Sequence, residues 1–131
     1  MYKVLLVDDD VHILNANETY LARLGYQISR AEDGERALRL ASSAAFDAIV
    51  LDVDMPDMDG VAVCSRLREV SAVPIIFLSA YARTDDRIRG LMAGGDDYIG
   101  KPYSLVELEL RLRLRIQRHL KVETGEVLRY G

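Results

Sequence analysis

The sequence predicts an α/β fold: a doubly wound, five-stranded parallel sheet flanked by five helices. Two observations carry that reading. Short apolar runs alternate five times with segments of helical spacing. Gly25, Gly34, Gly60 and the Gly94–Gly95 pair mark the joins between them. Parallel neighbours need crossover connections, and helices on both faces supply them.

The strands are "KVLLV" (3–7), "YQISRA" (26–31), "AIVL" (48–51), "PIIFL" (74–78) and "YIG" (98–100). Each is too short for a helix and rich in the residues that suit a buried strand. Ile13, Leu14, Tyr20, Leu21 and Leu24 mark the first helix. Ala37, Leu38 and Ala41 mark the second, and Val61, Cys64 and Leu67 the third. Ile88, Leu91 and Met92 mark the fourth. The last runs from Leu105 to Leu120 and contains a conflict, because "VELELRLRLRI" (106–116) alternates with period 2, as a strand does. Leu, Glu and Arg are strong helix formers and β-branched residues are almost missing, so propensity favours a helix. Wound at about 100° per residue, Leu105, Leu108, Leu112 and Ile116 form one stripe. Val106, Leu110 and Leu114 form a second stripe roughly 150° away. One stripe packs on the sheet; the other asks for a partner, a first hint of self-association.

The totals narrow the class. A chain of 131 residues, half of them apolar, is one domain with a sizeable core. A net charge of −4 argues against this segment gripping a nucleic-acid backbone. No apolar run approaches the roughly 20 residues that span a bilayer, so no membrane role is expected. No export signal is visible at the N-terminus, which points to the cytoplasm. Cys64 is the only cysteine, which excludes an internal disulfide and a cysteine-based zinc site, and it reads as a core residue.

In an open parallel sheet, ligands bind beyond the carboxyl ends of the strands. Asp8 and Asp9 follow the first strand, Asp52 the third, Ser79 the fourth and Lys101 the fifth. Three carboxylates, a hydroxyl and an ammonium converging on one edge define a metal-plus-phosphate site. The carboxylates suit Mg²⁺, which keeps several waters and commonly bridges to phosphate. Asp52 is placed as a nucleophile that forms an acyl phosphate. Mg²⁺ and Lys101 neutralise charge in such a transfer, and Ser79 donates to a phosphoryl oxygen.

"LLVDDD", "VLDVDMPDMDG", "IIFLSA" and "DYIGKPY" occur in the order found in response-regulator receiver domains of bacterial two-component systems. The chain resembles that family over residues 3–119. The resemblance implies the flavodoxin-like receiver fold with strand order 2-1-3-4-5. It implies Asp52 as phosphoacceptor, Asp8 and Asp9 as the acidic pair, and Mg²⁺ held by Asp9, Asp52 and the backbone carbonyl of Asp54. Ser79 matches the switch hydroxyl, Lys101 the phosphate-pairing lysine and Tyr98 the switch aromatic. A cis Lys101–Pro102 peptide is expected. A sensor histidine kinase is the implied phosphodonor. Two residues stand out beside this pattern: Asp54 adds acid at the site, and Tyr81 can shield the phosphate from water.

Further sequence features imply the output. In the OmpR/PhoB-like subfamily, active receivers form a homodimer through the fourth helix, fifth strand and fifth helix. Arg87, Asp97, Glu107 and Arg111 match its charged positions, and Leu91 and Leu110 its apolar patch. The expected division is a receiver over 1–119, then a linker and the start of a winged-helix effector domain over 120–131, where "VLRYG" resembles an opening strand. DNA would then be bound only through that C-terminal domain, in control of transcription. A stand-alone receiver is the alternative. So is a constitutive interaction module without phosphorylation, although no site residue is missing.

Other functions fit less well. A haloacid-dehalogenase-like phosphatase would use Asp52 as nucleophile and Asp54 as acid/base, but its D-x-D normally ends the first strand of a longer chain. A calcium loop fails, since Gly60 in register puts Met55 and Arg66 at ligand positions. Asp10 reads as a helix N-cap, Asp57 and Asp59 as loop and cap residues, and Asp96–Asp97 as a turn before the last strand. His12 and His119 lack sequence partners and read as solvated surface.

Overall fold

The computed structural model describes residues 1–56, 59–80 and 84–124, without the side chains of 84–87, 123 and 124. The elements run β1 (Lys3–Val7), α1 (Val11–Arg23), β2 (Gln27–Ala31), α2 (Gly34–Ser43), β3 (Ala48–Asp52), α3 (Gly60–Val70), β4 (Ile75–Ser79), α4 (Thr84–Met92), β5 (Asp97–Gly100) and α5 (Leu105–Thr124). All five strands pair in parallel, in the order β2-β1-β3-β4-β5. The predicted strands and helices are all present, with strand ends shifted by about one residue.

Strand side chains alternate between the faces, and both faces are apolar. Val4, Leu6, Val50, Ile76 and Leu78 pack on Leu14 and Leu21 of α1 and on Leu108, Leu112 and Ile116 of α5. Leu5, Val7, Ile49, Leu51, Ile75 and Phe77 pack on Ala37 and Ala41 of α2 and on Val63, Cys64 and Leu67 of α3. Fully burying a leucine or isoleucine contributes about 1.5–3 kcal/mol, so these two layers hold the sheet rigid under whatever its edge carries.

Helix propensity prevails over the period-2 pattern in α5. In its first stripe Leu108, Leu112 and Ile116 are buried and Leu105 is half-buried, while Val106, Leu110 and Leu114 lie exposed as expected. The helix continues to Thr124, so residues 120–124, expected to begin a linker, are helical. The "VLRYG" segment lies outside the described residues.

The apolar residues that mark α4 face away from the core: Ile88, Leu91 and Met92 are exposed, and Gly90 is the buried position. A Cβ at Gly90 would collide with the Phe77 ring, so α4 approaches β4 only because that side chain is missing. Arg68 at the end of α3 donates to the Gly94 carbonyl at 2.8 Å and pairs with Asp96 at 2.6 Å. Asp96 in turn accepts from the Ile75 amide at 2.8 Å, locking the turn before β5 onto the start of β4.

Asp10, Asp33 and Asp59 cap α1, α2 and α3 through their side chains. Asp57 lies outside the described residues. The Lys101–Pro102 peptide is cis. Cys64 is buried and His12 is exposed, while His119 is half-buried rather than fully solvated.

Candidate functional site

Asp8 extends the β1 ladder by donating its amide to the Ala31 carbonyl at 3.1 Å. Asp52 is the last residue of β3 and Ser79 the last of β4. Ser79 lies in register with Gly100, and its carbonyl accepts from the Lys101 amide at 2.7 Å. The ladders therefore fix where every one of these side chains starts, which a site on loops alone could not do.

Asp8 and Asp52 are each only 3% exposed, and Asp9 is open to solvent. The Asp52 carboxylate accepts from the Lys101 ammonium at 2.9 Å through one oxygen and from the Asp54 amide at 2.8 Å through the other. Asp54 accepts from the Ser79 hydroxyl at 2.8 Å and from the Ala80 amide at 2.7 Å, and lies 3.4 Å from the Lys101 ammonium. Six predicted residues thus meet at one edge: Asp8, Asp9, Asp52, Asp54, Ser79 and Lys101. Tyr98 stands nearby, its ring edge-on to Phe77 at 5.8 Å, and it shares a cleft with Asp54 and Ser79. Tyr81 lies outside the described residues.

Burial pushes the Asp8 carboxyl up to about 7; the Asp10 amide bond opposes this, and the neighbouring Asp52 adds to it. Burial disfavours the charge on Lys101, but the hydrogen bond to Asp52 and the charges of Asp52, Asp54 and Asp8 outweigh it, so its pKa lies above the ordinary lysine value. The ammonium is locked on.

Oxygens of Asp8, Asp9 and Asp52 lie within 4.8 Å of one another. The second oxygen of Asp8 is buried and has no hydrogen-bond partner among the described residues, a rare and costly state for a polar atom. Both facts fit a bound hard dication, which takes oxygen ligands and would satisfy that atom directly or through its water. The acidic run that ends β1 is physically reasonable once a cation belongs in it.

Sequence reasoning missed Asn17 and Tyr103. Asn17 is buried on α1 and donates to the Tyr103 hydroxyl oxygen at 3.0 Å. Burial raises the Tyr103 pKa, the Asn17 hydrogen bond opposes it, and the nearby Asp8 charge adds to it. The pair thus ties α1 to the segment after Lys101, next to the acidic cluster. Its signal was available: Asn17 falls on the Leu14–Leu21 stripe, where a polar residue needs a partner.

On the far side of β5, Asp97 accepts from Arg111 at 2.8 Å and lies 3.4 Å from Arg115, while Glu107 pairs with Arg111 at 3.1 Å. Leu91 is 50% exposed and Leu110 43%. The Arg87 side chain lies outside the described ones.

Strand order reverses beside β1 and β3, and the polar edge sits at that reversal, where open α/β sheets take their ligands. Fold and site together define a CheY-like signalling receiver. The chain belongs to the response regulator receiver domain family, whose model matches residues 4–113. This family is a phosphoacceptor signalling module, not a typical multiple-turnover enzyme, and its members bind Mg²⁺ in their acidic site. The dehalogenase-like alternative is therefore set aside.

The transcriptional regulatory protein PrrA of Mycobacterium leprae (strain TN), of the OmpR/PhoB-like kind, is 46% identical over 117 residues, 88% of this chain and 50% of that protein. The receiver domain of Francisella response regulator 1452 is similar with a TM-score of 0.85 and 38% identity, over 91% of this chain and 99% of that one. The receiver domain of sensor histidine kinase PA1611 from Pseudomonas aeruginosa PAO1 is similar with a TM-score of 0.80 and 35% identity, over 88% and 98% of the two chains. That structure holds a magnesium ion coordinated in the active site cleft. The chain spans about half the length of the curated relatives it matches. No helix among the described residues is long and apolar enough to cross a membrane.

Proposed function

We propose that this chain is the cytoplasmic, phosphorylation-activated part of a transcription factor, and that Asp52 accepts a phosphoryl group from a sensor histidine kinase. One observation carries this reading: a carboxylate buried at a strand end, 2.9 Å from a lysine ammonium, beside two further carboxylates able to share a cation. An Asp52 oxygen attacks phosphorus, the new P–O bond closes as the bond to the donor's leaving group breaks, and the product is an aspartyl phosphate. Phosphoryl transfer is mainly alignment and charge neutralisation. Asp8, Asp9, Asp52 and the Asp54 carbonyl would hold Mg²⁺, which would supply positive charge for the phosphoryl oxygens. Lys101 supplies the second positive charge, and the Ser79 hydroxyl donates to a phosphoryl oxygen.

The added charge of about −2 draws Ser79 towards the phosphoryl group and makes room for Tyr98 to turn inward. The surface of α4, β5 and α5 then favours a homodimer, with Arg87, Asp97, Glu107 and Arg111 exchanging partners around Leu91 and Leu110. DNA is contacted through an effector domain following the receiver.

The test is intact mass after incubation with Mg²⁺ and acetyl phosphate. Wild type should gain one phosphoryl group and Asp52→Asn none. An unmodified wild type defeats the proposal.

A further inference from the structure

The Asp54 side chain is outside the cation set, yet it holds both groups assigned above to the phosphoryl, Ser79 and Lys101, together with the adjoining Ala80 amide. Its two oxygens take the Ser79 hydroxyl at 2.8 Å and the Ala80 amide at 2.7 Å, and one lies 3.4 Å from the Lys101 ammonium. These donors come from the end of β4 and the end of β5, and they already converge on one anion. We infer that the Asp54 carboxylate is an internal competitor of the phosphoryl group, occupying its donors in the unmodified chain. The inference rests on Asp52 being the phosphoacceptor.

Two anions cannot share those donors without repulsion, because like charges at contact distance disfavour one another strongly. Asp54 must therefore leave as the phosphoryl arrives. The neighbouring cleft of about 170 Å³ offers room, and its lining includes Asp54, Ser79 and Arg89 of α4. Arg89 holds Asp59 only at 3.6 Å, with both side chains more than half exposed, so its guanidinium can take a second carboxylate. A displaced Asp54 would then carry the event at Asp52 to α4. The resting chain keeps its switch hydroxyl engaged, and phosphorylation must first win it.

Beryllofluoride, a non-covalent stand-in for phosphoryl, reads this competition at saturating Mg²⁺, with Mg²⁺ affinity measured separately for each variant. Asp54→Ala should bind it at least about tenfold more tightly than wild type, the worth of one charge-assisted hydrogen bond. Asp54→Asn, which keeps the shape without the charge, should shift in the same direction by less. In a Ser79→Ala background the Asp54→Ala gain should be at least about threefold smaller, because one of the three donors that Asp54 holds is already gone. Unchanged or weaker binding in Asp54→Ala overturns the inference. So does an equal gain in both backgrounds, which would mean simple charge relief. If neither wild type nor Asp54→Ala binds beryllofluoride although both bind Mg²⁺, the phosphoacceptor reading itself falls, and this inference with it.

Discussion

Replacing Asp8 by Asn should change how stability depends on pH in the metal-free chain. The Asp8 carboxyl sits at about 7 in the folded state, against 3.8 in an unfolded chain. Between those values the folded protein holds a proton that the unfolded chain has released. Stability from this group is therefore complete below about pH 4 and is lost as pH rises through about 7. About three pH units at 1.36 kcal/mol each make roughly 4 kcal/mol over the whole window. Between pH 5 and pH 7 the loss is about 2 kcal/mol, since the slope flattens near the folded value. Urea unfolding in EDTA at pH 5, 6 and 7, for wild type and Asp8→Asn, isolates the effect, because other carboxylates cancel in the difference. Wild type should lose about 2 kcal/mol relative to the variant across that range. Mg²⁺ should restore more stability at pH 7 than at pH 5, since its ligands must be deprotonated. Parallel profiles for the two proteins would refute the buried, proton-holding carboxyl.

Leu110→Arg should leave the monomer's stability nearly unchanged, since Leu110 is exposed, yet abolish association of the phosphorylated protein in analytical ultracentrifugation. Cys64 is fully buried and its thiol is pushed up to about 11 by burial, so the native protein should ignore Ellman's reagent at pH 8 and react once unfolded in urea. Gly90→Ala sets a helix-propensity gain of about 1 kcal/mol against overpacking of about 1–3 kcal/mol. The added Cβ would fall on the buried Phe77 ring, so the urea midpoint should fall; a rise would show that the ring or α4 can shift freely.

Much of this molecule was legible because its strands are short apolar blocks and its reactive groups stand at their ends. Val4–Val7, Ile49–Leu51 and Ile75–Leu78 pack on both sides, so their pattern needs no tertiary context. Strand order came from family resemblance, not from periodicity, which is silent about neighbours. Apolar spacing misled at α4, where the inward position is Gly90 and the apolar residues point outward. A glycine contributes nothing to a hydrophobic pattern, so a close helix–sheet approach is invisible to it. The Asp54 bonds to Ser79 and Ala80 were equally hidden, since their partners lie 25 and 26 residues away.

Arg111 already serves both Asp97 and Glu107 within one chain. In the proposed homodimer these pairs would be traded for equivalent ones across the two-fold axis, a swap with little net energetic reward. Charge there would decide which copies recognise each other, while the leucines set how long they stay together. A cell holding many such receivers could then keep its channels apart by shuffling a few ionic residues, without loosening any of them.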